Sequence, residues 1–110
     1  MSHPAQFFCW HFMAYPYLPD DFDEKYESAW VTVPNSLWDS EKSDELYQEY
    51  IDQLVYGEEL GFDGIGVNEH HSNGYGMMPS PNIMAAALSR RTSKAALVVL
   101  GNSIALYNPP

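Results

Sequence analysis

The run Gly61-Phe62-Asp63-Gly64-Ile65-Gly66-Val67-Asn68-Glu69-His70-His71 constrains this chain more than any other segment. Gly61 reads as the left-handed residue that ends a helix. Gly64 to Asn68 reads as a short strand whose small residues suit a crowded sheet interior. Three polar side chains, Glu69, His70 and His71, follow directly. Parallel α/β proteins place their chemistry at such strand ends.

The flanking patterns extend this core in both directions. Upstream, Leu46, Tyr50 and Leu54 recur every four residues beside Tyr47, Ile51 and Val55. This apolar stripe predicts a helix over 44–60, capped by Ser43 or Asp44. Gln6 to Met13 carries Phe7, Phe8, Cys9, Trp10 and Phe12, broken only by His11. It predicts a strand over 6–13 buried on both faces. Downstream, Pro81 sits at a first helical turn, and Ile83, Met84, Ala87 and Leu88 form the apolar face of a helix over 81–92. Ala96 to Leu100 is a continuous apolar run that predicts a third strand, 96–101. The order β-loop-α-β-loop-α-β implies parallel strands linked by helices.

Three strands and two helices close nothing. A (β/α)₈ barrel needs eight such units and ~250 residues. An open three-stranded sheet leaves both edges bare. The expectation is an α/β fold in which residues 1–110 form the N-terminal third of a (β/α)₈ TIM barrel, an incomplete domain exposing a large apolar surface.

The formal charge of −10 and pI of about 4.4 argue against a nucleic-acid partner, because phosphates would be repelled. Most acidic residues fall in the first half and read as a solvated loop and helix face. No segment approaches the ~18 apolar residues of a membrane helix, and the N-terminus lacks a signal pattern. The single cysteine, Cys9, cannot form an intrachain disulfide. A soluble, cytoplasmic protein is expected.

Glu69-His70-His71 admits three readings: a loop histidine pair with a capping glutamate, a metal site, or acid–base chemistry by a histidine beside a carboxylate. Metal binding would need ligands from elsewhere, because adjacent histidines on extended backbone point to opposite sides. The glycines lack the spacing of a phosphate-binding loop. Residues 14–43 hold Pro16, Pro19 and Pro34 with Tyr15, Tyr17, Phe22, Tyr26, Trp30 and Trp38. They predict a long ordered loop packed over the active site, the barrel flank or a neighbouring subunit.

Taken with Pro79-Ser80-Pro81-Asn82, Ala85-Ala86-Ala87 and the exit Leu100-Gly101-Asn102-Ser103 to Asn108-Pro109-Pro110, the Gly61-Phe62-Asp63 and Asn68-Glu69-His70-His71 motifs resemble the flavin-dependent, bacterial-luciferase-like monooxygenases. The resemblance implies a (β/α)₈ barrel that binds FMN at the C-terminal ends of its strands. Reduced FMN comes from a separate flavin reductase and reacts with O₂ to oxygenate a small organic substrate. It implies His70 as the catalytic residue and Asn102, Ser103 and Ile104 as flavin contacts. There a backbone bulge over Asn102–Ala105 carries a cis bond between Ser103 and Ile104. Glu69, His71 and Tyr75 fall on the substrate side, and the phosphate-binding residues belong to later strands. A homo- or heterodimer is implied for the full-length protein. Two alternatives share the fold: a deazaflavin-dependent hydride-transfer enzyme and a non-catalytic structural paralogue.

Overall fold

A computed structural model describes residues 4–71 and 73–104 of the chain. Three parallel strands, β1 (Phe8–Trp10), β2 (Gly64–Asn68) and β3 (Ala96–Leu100), form one sheet in the order β1-β2-β3. Helix α2 (Ser40–Glu59) links β1 to β2, and α3 (Pro81–Ser89) links β2 to β3. The long segment before α2 holds a short helix, α1 (Phe22–Lys25), and a 3₁₀ turn at Asn35–Leu37. This is the arrangement of consecutive βα units expected from the sequence, with two short helical turns added.

The alternation of β2 sets the two faces of the sheet. Ile65 and Val67 join Leu46, Tyr50 and Leu54 of α2 and Leu88 of α3 in the buried core. Gly64, Gly66 and Asn68 lie on the other face, where the Phe8 ring folds over Gly64 and Leu100 lies against Gly66. Phe8, Trp10 and Leu100 are exposed there. Strand β1 is therefore not buried on both faces: Cys9 packs towards the core, while its two aromatic neighbours stand on an open apolar face.

Several boundaries moved, each for a local reason. Strand β1 stops at Trp10 rather than 13 because His11 Nδ1 accepts the Met13 amide at 2.8 Å. That contact turns the chain through Met13, a buried residue at φ +57°. Helix α2 starts at Ser40, four residues early, because neither Ser43 nor Asp44 caps it. Asp39 does, its Oδ1 accepting from the amides of Glu41 (3.0 Å) and Lys42 (3.1 Å). The added turn holds no apolar residue, so periodicity could not extend into it. The C-terminal end follows expectation. Gly61 adopts φ +90°, with Phe62 N–H donating to Gly57 O and Gly61 N–H to Glu58 O. Helix α3 ends at Ser89 rather than 92 as its last turn tightens. Arg91 N–H reaches Leu88 O at 2.8 Å, and the Thr92 hydroxyl also donates to Leu88 O.

The chain then enters β3 over the Glu58 carboxylate, which accepts from the successive amides of Ser93, Lys94 and Ala95 at 2.6–3.1 Å. Among the described residues no helix is long and apolar enough to cross a membrane.

Candidate functional site

The site grows from the C-terminal end of β2. Residues 69–71 and 73–80 fold back over the strand rather than running outward. His70 N–H donates to Met78 O at 2.7 Å, and Met77 N–H to Met13 O at 2.8 Å. Asn73, buried in the turn, accepts the Gly76 amide at 2.8 Å and donates to His71 O. The turn brings Gly76 flat against the His70 side chain. A Cβ at Gly76 would lie 2.5 Å from His70 Cδ2, so only glycine lets the imidazole occupy this position.

Three aromatic rings from three segments gather around that imidazole. Tyr75 meets it edge-on at 5.3 Å and Trp30 edge-on at 5.6 Å, while Phe12 lies roughly parallel at 6.2 Å. Trp30 and Tyr75 stack on one another at 4.7 Å and 22°, and Trp10 packs on Phe12 at 4.2 Å. The long segment is thus fastened over the strand ends. Tyr15 N–H donates to Gly74 O (2.9 Å) and Gly74 N–H to Ala29 O (2.8 Å). On its other side, Tyr50 donates its hydroxyl to Ala14 O and Tyr47 donates to Met77 O. Of the three placements open to this loop, cover over the strand ends is the one adopted. His70 ring nitrogens have no hydrogen-bond partner among the described residues, which leaves them available to a bound molecule.

Glu69 does not orient His70. Its Oε1 pairs with His71 Nε2 at 2.7 Å, and its Oε2 accepts the Ser103 amide at 2.6 Å. These bonds, that to His71 first, hold the carboxyl below the ordinary glutamate range. With its side chain only 4 % exposed, Glu69 links the ends of β2 and β3, and His71 closes over it. The two residues expected on the substrate side are therefore engaged with each other, whereas Tyr75 does stand beside His70.

The residues expected at the flavin follow β3. Gly101 takes φ +88° and turns the chain, and Asn102 reaches Asn82 Oδ1 at 3.4 Å. Ile104 stands exposed. The Ser103–Ile104 bond is trans, since no cis peptide occurs among the described residues, and the expected cis bond is corrected accordingly. Ala105 and the Asn108-Pro109-Pro110 exit lie outside the described residues.

Phe12, Trp30 and Gly76 belong to the site without having been singled out for it. Asn68, the last residue of β2, is 3 % exposed, and neither of its amide atoms finds a partner among the described residues. No group of three or more histidine, cysteine or acidic side chains converges on a metal site among them. A cleft of about 250 Å³ opens beside α2 between Asn35, Trp38, Tyr47 and Met77, but no member of the His70 aromatic cluster lines it.

A parallel sheet with a histidine among aromatic rings at its strand ends is an arrangement in which α/β proteins place their chemistry. The comparison with known families narrows this: the chain belongs to the luciferase-like monooxygenases, whose family pattern matches residues 28–109. Members of that family are, in general, flavin-dependent oxidoreductases. Neither a curated protein nor a solved structure gives a match.

The described residues fit the ring system of a flavin. The exposed Leu100, Ile104 and Trp10 offer an apolar floor, and Asn68 offers an unused donor and acceptor beside it. They do not offer a phosphate site at that end. Arg90, Arg91 and Lys94 fall between α3 and β3, at the opposite end of the sheet from Asn68 and Leu100.

Proposed function

We propose that this chain is the N-terminal portion of a flavin-dependent monooxygenase barrel that uses reduced FMN and O₂ to oxygenate a small organic substrate. The observation that carries this reading is the setting of His70. Its imidazole is fixed against Gly76 at the end of a parallel strand, with unengaged nitrogens and exposed aromatic walls. Further βα units would cover the open face formed by Phe8, Trp10 and Leu100, because a bare apolar sheet face of that kind is otherwise a liability.

Within the complete barrel, the flavin supplies the electrons and the site of O₂ activation. The residues of this chain bind, orient and move protons. Leu100, Ile104 and Trp10 hold the ring system, and the Glu69–Ser103 bond fixes the backbone that carries Ile104. His70 holds or takes up a proton at a ring nitrogen facing the bound substrate. The aromatic cover from Trp30, Tyr75 and Phe12 excludes water from that proton transfer. A separate flavin reductase supplies the reduced cofactor, and the half-buried thiol of Cys9 suits a reducing cytoplasm.

The test is a titration of the full-length protein with FMN and with a deazaflavin, followed by O₂ uptake on addition of reduced FMN. Preferential FMN binding with O₂ consumption is expected. Tight deazaflavin binding without O₂ uptake would replace this reading with hydride transfer, and binding of neither would make the chain a structural paralogue.

A further inference from the structure

We propose that Trp30 is the substrate-recognition residue of this site, a platform on which a planar, uncharged ring stacks beside His70. This rests on the reading above, in which His70 faces the substrate, and adds the chemistry that the substrate must have. The first observation is exposure without looseness. Trp30 is 53 % exposed and Tyr75, on which it stacks, 40 %. The two stacked rings form one contiguous apolar patch rather than a single surface side chain, and such patches mark interaction sites.

The turn beneath Trp30 is built to hold it there. Ser28 N–H donates to Thr32 Oγ1 (3.0 Å), the Thr32 hydroxyl donates to Ser28 O (2.8 Å), and Thr32 N–H also reaches Ser28 O (3.1 Å). Trp30 N–H itself donates to Ser28 Oγ at 3.1 Å. Four bonds fix the backbone of residues 28–32, Gly74 N–H anchors the turn through Ala29 O, and contacts with Tyr75 and His70 hold the indole ring itself. The ring is therefore preorganised, which reduces the entropy lost when a ligand stacks on it.

The chemistry of the ligand follows from what surrounds the platform. Tyr75 already covers one part of Trp30 in a near-parallel stack, so a third flat ring continues the same geometry. The Glu69 carboxylate beside His70 is already engaged by His71 Nε2 and the Ser103 amide. The chain carries a formal charge of −10, with Glu27 adjoining the turn, which disfavours an anionic ligand. A linear aliphatic chain would gain no stacking.

Three probes test this in the full-length protein, each titrated with and without FMN: 2-naphthol, 2-naphthalenesulfonate and decanal. The naphthol should bind more tightly than the other two. Trp30→Ala should weaken it roughly five- to tenfold, the usual worth of one aromatic pair, Trp30→Phe should recover most of that loss, and FMN affinity should not change. Equal naphthol affinity in wild type and Trp30→Ala would overturn the proposal. So would tighter binding of the sulfonate or decanal than of the naphthol, or an equal loss of FMN affinity, which would put Trp30 on the cofactor side. Failure of FMN to bind at all would instead count against the flavin reading, while the naphthol titration still measures the platform by itself.

Discussion

Glu69 Oε2 accepts the Ser103 amide at 2.6 Å, a bond spanning 34 residues that ties the end of β2 to the backbone leaving β3. It adds one charge-assisted contact beyond the last pair of the β2–β3 ladder, Asn68 and Leu100. His71 engages the other oxygen at 2.7 Å, so both carboxylate oxygens are directed away from His70.

Glu69→Gln should loosen this connection, because the carboxamide offers one acceptor where two are used. Exchange of the Ser103 amide with solvent should speed up several-fold, and FMN affinity in the full-length protein should fall. Both bonds lower the folded-state pKa of Glu69. The stabilisation is therefore present above the ordinary glutamate value of about 4.3 and lost as pH falls through the lower folded value. A Ser103 exchange rate unchanged by the substitution would show the bond to be dispensable.

His11 gives the same pH sign in a higher window. Its Nδ1 accepts from Met13 N–H, so Nε2 carries the proton and donates to Gln53 Oε1 at 2.9 Å. Burial lowers its pKa, against smaller opposing effects from Gln53 and Glu49. The folded state prefers the neutral ring, so its contribution is full above the unfolded value of about 6.5 and declines as pH falls from there towards the folded value. Stability measured by chemical denaturation should drop as pH falls below about 6.5, a slope that His11→Gln should flatten. An identical slope in the variant would assign the effect elsewhere.

Asn68 separates folding from binding. Both of its amide atoms are buried without partners among the described residues, and leaving such a group unsatisfied costs about 1–3 kcal/mol. Asn68→Leu keeps the branch at Cγ and should raise the thermal midpoint of the protein without ligand. If a ligand satisfies the amide, the same variant should bind FMN or substrate less well. A lower midpoint in the ligand-free variant would mean that the amide is already paired within the complete fold.

The fold was legible wherever a side-chain period or a backbone demand stands in the sequence. Leu46, Tyr50 and Leu54 announced α2 through their spacing, Gly61 announced its end through the positive φ it adopts, and Gly64 to Asn68 was bounded correctly. Capping by Asp39 escaped because the added turn is polar throughout. The Glu58 carboxylate under Ser93 to Ala95 escaped because nothing in a helical glutamate signals amides 35 residues away. At the site, His70 and Tyr75 belong to two separate segments that the sequence singles out, and the turn between them brings the rings together. Trp30 and Phe12 reach them only through tertiary folding of a loop that has no period, and Glu69 turned to His71 because the backbone of residues 69–71 places them on one side.

The central claim is that His70 moves a proton for a flavin-dependent oxygenation, and steady-state turnover of His70→Ala in the full-length enzyme tests it most directly. With reduced FMN, O₂ and an accepted substrate, the variant should bind FMN within a few-fold of wild type. It should turn over ~10²-fold more slowly, the lower end of what a general acid or base contributes, while His71→Ala should lose much less. Wild-type turnover by the His70 variant, with FMN bound normally, would contradict the account.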